Sequence, residues 1–151
     1  RVFRALAALA RRRDIQIVFP VHLNPLVQKA ANEILKGVDN VHLIAPQPYR
    51  DFVWLMSKSY LIVTDSGGVQ EEAPGLGKPV LVTRDTTERP EAVAAGTVEL
   101  IGTDGDRLQE RASALLDDRT QYERMSRALN PYGDGLAAGR IVRSLMNASV
   151  S

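Results

Sequence analysis

The chain has 151 residues, no cysteine, and nineteen basic against eighteen acidic side chains for a net charge of +1. Its length and 44% apolar content suit one compact domain, spanning 1–151, that buries about two thirds of its unfolded surface on folding. Balanced charge gives no global field for nucleic acid or an anionic membrane, and a chain without cysteine has no disulfide, thiol nucleophile or thiolate metal site. No apolar run approaches the roughly 20 residues of a membrane span, and a cytoplasmic setting is expected. The chain opens at Arg1 with a helical pattern already in progress, as a piece of a longer protein would.

Taken in chain order, Val2, Phe3, Leu6 and Leu9 recur at helical spacing, and Arg11, Arg12 and Arg13 follow where positive charge suits a helix C-terminus. No aromatic residues interleave with that run as a nucleic-acid platform would require. Five short runs rich in Val and Ile come next, "IQIVFPV", "VHLIA", "YLIVTD", "PVLVTR" and "TVELIG", and predict strands buried on both faces. Helices are predicted between them over 26–35, 49–57, 68–76 and 90–95, and beyond the last strand over 105–116, 120–129 and 137–146. Strands alternating with helices imply α/β architecture, a Rossmann-like doubly wound parallel sheet with helices on both faces.

Ligands of such a sheet bind in the crevice at the carboxyl ends of the strands. The residues that follow each run are 22–25, 46–49, 65–68, 85–89 and 102–105, and they hold a histidine, a Ser-Gly-Gly, an Asp-Thr-Thr-Glu-Arg and several glycines. The stretch "VTDSGGVQEEAPGLGKPVLV" is the most specific of these. A strand that ends in Asp-Ser-Gly-Gly and turns into a helix presents unpaired backbone N–H groups. No β-carbon at Gly67 or Gly68 keeps an anion away, and Ser66 adds a hydroxyl donor. Glu72 lies four residues after Gly68 on the same helical face, placed to accept two hydrogen bonds from vicinal ribose hydroxyls. Glu71, turned about 100° away, reads as solvated or as support for the helix start. Arg89, at another strand's end, could clamp phosphates. An ordinary Gly-rich turn would explain the glycines alone, but Val69 stands where a capping box needs Glu or Gln. "GLGKP" is not a Walker loop, because Lys78 precedes Pro79.

At "PVHLNP", "TDSGGVQEEAPGLGKPVL", "RDTTERPEAVAAGT" and "NPYGDG" the sequence closely resembles the non-hydrolysing bacterial UDP-N-acetylglucosamine 2-epimerases, from near Arg1 to the C-terminus. The resemblance implies the C-terminal half of a glycosyltransferase-B-type two-domain enzyme, with a UDP-sugar bound in the cleft between two Rossmann-like halves. It assigns Ser66, Gly67 and Gly68 to the diphosphate, Glu72 to the ribose, Arg89 to the phosphate region, and Gln47 and Phe52 to the uracil. It further implies inversion at C2 of the GlcNAc unit to give UDP-ManNAc, by elimination and re-addition of UDP. The acid and base carboxylates then belong mainly to an absent N-terminal half, so the isolated chain is expected to be inactive. Neither a cofactor nor a metal is expected; the expected partners are the UDP-sugar, the N-terminal domain and a second subunit of a homodimer. A donor-nucleotide domain of a UDP-sugar glycosyltransferase stays open as the alternative, since such a rim does not choose the reaction.

Other residues carry competing readings. His22 faces the same rim and resembles a family histidine that touches ligand or serves regulation; a loop histidine satisfied by backbone is the other account. His42, within a strand run, reads as structural. Two distant histidines and no cysteine make no transition-metal set. Phe52 lies on an amphipathic helix, where a core role competes with uracil packing. Asp85, Thr86 and Thr87 read as turn residues or neighbours of the sugar, and "NPYGDG" reads as a turn first.

Overall fold

The computed structural model describes residues 1–148. Helices α1 (Val2–Leu9), α2 (Pro25–Leu35), α3 (Tyr49–Lys58), α4 (Gly67–Gly75) and α5 (Pro90–Ala95) alternate with strands β1 (Ile17–Pro20), β2 (Val41–Ile44), β3 (Ile62–Thr64), β4 (Val80–Val82) and β5 (Val98–Leu100). Helices α6 (Gly105–Asp117), α7 (Arg119–Ser126) and α8 (Ala137–Ala148) follow. Every ladder is parallel, as the alternation requires.

Hydrogen bonding divides the strands into two pieces, β1 with β2 and the ladder β3-β4-β5. Side chains rejoin them: Ile17, Phe19 and Leu43 from the first piece share one apolar cluster with Leu61, Val63 and Leu81 from the second. Strand β4 shows how the two layers of helix are covered. Its three residues Val80, Leu81 and Val82 are fully buried, and their side chains alternate between faces with the period of two. Leu81 enters the cluster built with Leu6 and Leu9 of α1, Leu35 of α2 and Leu108 and Leu115 of α6. Val80 and Val82 enter the other, with Met56 of α3, Val69 and Ala73 of α4 and Ala92 of α5. Helices therefore lie on both faces of a doubly wound α/β domain.

Close packing of α1 on α6 depends on Gly105, where a β-carbon would come within 3.1 Å of the Arg1 carbonyl oxygen and 3.5 Å of Ala5 Cβ. The same pair is tied at the surface by Arg12, whose guanidinium donates to both carboxylate oxygens of Asp117 at 2.8 and 2.7 Å and to Asp14. The arginine run thus lies past the end of α1 instead of in its last turn, and its central member serves ion pairs. Asp118 caps α7 through the amides of Thr120 and Gln121, and hydrogen bonds to Gln121 hold its carboxyl below the usual carboxylate range. Helix α7 ends at Ser126, short of the expected 129, and leaves Leu129 exposed. In α8 no residue is buried.

Candidate functional site

The site is built at the carboxyl end of β3, where Asp65 and Ser66 lead into α4. Ser66 is the N-cap residue in extended geometry, and its side chain makes no capping hydrogen bond. Its hydroxyl is therefore not consumed by the helix. A β-carbon built on Gly68 would lie 3.9 Å from Ser66 Oγ and 4.0 Å from Glu72 Oε1, so hydroxyl and carboxylate both approach the same glycine. Around Gly67 there is nothing within 4 Å of such a carbon. Orphan amides, a hydroxyl donor and open space therefore meet at the positive end of a nine-residue helix. Pro74 falls in the last turn, where it lacks the N–H that would face the Gln70 carbonyl, and the helix ends one residue later.

Glu72 is exposed and receives the Tyr49 hydroxyl on Oε2 at 2.9 Å. That hydrogen bond raises the Tyr49 pKa, because losing the phenolic proton would place two anions together. Tyr49 opens α3 just beyond the end of β2, so two strand ends supply one carboxylate and its donor. Oε1 of Glu72 takes part in no hydrogen bond among the described residues.

Arg89 is the N-cap residue of α5. Its Nε donates to Glu71 Oε1 and its Nη1 to the Glu88 carbonyl, while Nη2 makes no hydrogen bond among the described residues. The Glu71 carboxylate, through that hydrogen bond and its charge, raises the guanidinium pKa further above its already high ordinary value. Glu71 is thus the ion-pair partner of the residue that caps α5, a role added to the expected solvation or support for the helix start. The helical wheel places it away from Glu72, and the wheel has no term for the α5 cap that occupies that direction. The rim also holds a second guanidinium pair, Arg84 with Glu88, at 3.0 and 3.2 Å.

The remaining expected residues lie on neighbouring rim segments. Gln47 donates from Nε2 to the Ala45 carbonyl at 2.7 Å, which steadies the loop after β2. Phe52 packs against the second core cluster beside Met56, Val69 and Ala73, so it has a core role whatever else it contacts. His22 is exposed after β1 and accepts the Asn24 amide on Nδ1 at 3.1 Å; this loop role leaves Nε2 as the nitrogen available for another partner. His42 bonds Gln16 at 2.7 Å, away from the rim. Tyr132 of the "NPYGDG" turn packs against the second cluster, and burial raises its phenol pKa. Among the described residues no group of three or more His, Cys, Asp or Glu side chains could hold a metal ion, and no helix is long and apolar enough to cross a membrane.

A parallel α/β domain with a Ser-Gly-Gly helix start, a carboxylate and an arginine along one carboxyl edge has the Rossmann-like architecture, whose ligands bind at the carboxyl ends of the strands. A family model described as UDP-N-acetylglucosamine 2-epimerase matches residues 1–146, and the chain belongs to that family. It is 60% identical over 151 residues to the UDP-N-acetylglucosamine 2-epimerase of Escherichia coli strain K12, covering 99% of this chain and 40% of that protein. Among solved structures it is similar to the UDP-GlcNAc 2-epimerase of Neisseria meningitidis bound to UDP-GlcNAc, with a TM-score of 0.89 and 51% identity over 97% of this chain and 40% of that one. The S. aureus MnaA-UDP co-structure aligns with a TM-score of 0.89 and 48% identity, over 93% of this chain and 39% of that one. The chain therefore spans about 40% of the length of the relatives it matches.

Proposed function

We propose that this chain is the UDP-binding, C-terminal domain of a two-domain enzyme that interconverts UDP-GlcNAc and UDP-ManNAc. The observation that carries the assignment is the meeting of Ser66, Gly68 and Glu72 at the start of α4 in a chain of this family. The Gly67 and Gly68 amides and the Ser66 hydroxyl receive the diphosphate, and Glu72 accepts the ribose hydroxyls. Gln47 and Phe52 flank the uracil, while His22 approaches the ligand from the end of β1. The open Nη2 edge of Arg89 meets the phosphate that becomes the leaving group.

In the elimination, a base removes the C2 proton of the sugar while the C1–O bond breaks toward the diphosphate, giving UDP and a 2-acetamidoglucal. Re-addition of UDP at C1 with protonation of C2 on the opposite face yields the epimer. This domain contributes what the leaving group needs: preorganised donors where negative charge grows. The acid and base belong to the other domain, so the isolated chain does not turn over. A homodimeric parent in the cytoplasm, making precursors of cell-surface polysaccharide, completes the assignment.

Incubating the full-length protein with UDP-GlcNAc and no acceptor tests the reaction type. Accumulation of UDP-ManNAc is expected; intact UDP-GlcNAc, consumed only when an acceptor is added, would assign the chain to a glycosyltransferase instead.

A further inference from the structure

Among the described residues Gln70 is a fully buried polar side chain, and it lies between the two halves of the proposed phosphate site. Its Nε2 donates to the Ser66 carbonyl at 3.2 Å, and its Oε1 receives the Thr87 hydroxyl at 2.6 Å. The same Thr87 oxygen accepts the backbone N–H of Arg89 at 3.0 Å. Chemistry permits one arrangement of these protons. The Ser66 carbonyl can only accept, so the amide nitrogen of Gln70 must face it, and Oε1 must face Thr87. The Thr87 hydroxyl then spends its single proton on Gln70 and keeps a lone pair for Arg89. Flipping the Gln70 amide would set its oxygen against the Ser66 carbonyl, acceptor against acceptor, and turning Thr87 away would leave the buried Gln70 oxygen without a donor, which a protein interior tolerates poorly.

We propose that Gln70 and Thr87 are positioning residues that hold the Ser-Gly-Gly turn and Arg89 in one relative geometry, so that a diphosphate meets both already in place. The proposal deepens the assignment above and rests on it. Ser66 and Arg89 follow different strands and are 23 residues apart in sequence. Two independent loops would each lose freedom when a ligand bridged them; a buried link makes that loss during folding instead, which is how preorganisation raises affinity. Both link atoms of Gln70 end on groups next to the expected ligand donors, the carbonyl of Ser66 and, through Thr87, the amide of Arg89. A glutamine that merely filled core volume would need neither contact, and a leucine or methionine would serve as well.

The test uses Thr87→Val, which keeps the shape and removes the hydroxyl, with Thr87→Ser as the conservative rescue and Gln70→Met as a second break in the link. Calorimetric titration of the full-length protein with UDP is expected to show about tenfold weaker binding for Thr87→Val and Gln70→Met and a change within about twofold for Thr87→Ser. On an Arg89→Ala background the cost of Thr87→Val should shrink, because the part of its effect that acts through the Arg89 guanidinium is gone. Hydrogen exchange at the Ser66–Gly68 amides, read in the same proteins without ligand, should speed up when either half of the link is removed. The proposal is overturned if Thr87→Val binds UDP as the parent does with unchanged exchange at 66–68, or if its loss is undiminished on the Arg89→Ala background. Failure of the unsubstituted protein to bind UDP would instead remove the assignment of the rim, and the exchange data would still decide whether the link orders the turn.

Discussion

Alanine at Arg89 in the full-length protein is expected to lower kcat by about a hundredfold or more while moving the thermal midpoint by only a few degrees. The effect is large because the guanidinium is held for its task. Glu71 takes Nε and the Glu88 carbonyl takes Nη1, which leaves the Nη2 edge directed by two fixed partners. Removing one preorganised donor from a site of developing negative charge costs about 10²- to 10³-fold in turnover. The structural cost is small because the Glu71 side chain is 41% exposed and can be solvated once unpaired. Arg89→Lys should recover little, since an ammonium keeps the charge but cannot hold Glu71 and a phosphate with one planar fork. Steady-state kinetics on the two variants check this; parent-like kcat and KM in Arg89→Ala would remove Arg89 from the site.

Leu81→Ala carries the largest expected effect on stability. Leu81 is fully buried in the central strand β4, and it touches the cluster to which α1, α2 and α6 all contribute. Truncation removes the buried methyls and leaves a cavity walled by several elements that cannot all collapse on it, at a cost of about 2–5 kcal/mol. For a domain of this size that corresponds to a fall in melting temperature on the order of 10 °C. Val18→Ala, at a side chain 46% exposed on β1, should change stability much less. Thermal melts of the two variants read the difference, and equal midpoints would contradict the placement of the core.

Much of this fold was legible because the signals are local. "PVLV" has no polar residue, and β4 is buried on both faces as such a run implies. Asn24 and Pro25, Asp104 and Asp118 start helices where side-chain acceptors and proline predict starts. What could not be read depends on partners distant in sequence. The division of the sheet into two ladders follows from how strands meet in space, and a one-dimensional pattern of burial is the same for either arrangement. Helix α7 stops at Ser126 although apolar periodicity runs on to Leu129, because no neighbouring element covers that residue.

The site shows the same boundary. Ser66, Gly67, Gly68 and Glu72 stand within two turns of helix, so spacing alone brings them together. Arg89 required the rule that strand ends share a rim, and the structure does join it to α4, through Glu71. Tyr49 was within the expected rim, yet nothing in its spacing pointed to the Glu72 carboxylate 23 residues away. The link between Gln70 and Thr87 was missed for the same reason: a glutamine in a helix and a threonine in a turn have ordinary local explanations. Only their 2.6 Å contact shows otherwise. For Gln47, Phe52 and His22 the structure supplies local roles in loop and core, and their ligand contacts rest on the family assignment.

Calorimetric titration of the full-length protein with UDP, repeated on Glu72→Ala, tests the central claim most directly. Loss of a carboxylate that accepts ribose hydroxyls should weaken binding about ten- to a hundredfold, the range expected for charge-assisted hydrogen bonds. Undiminished affinity in a folded Glu72→Ala protein would contradict the claim that the start of α4 is where the nucleotide is held.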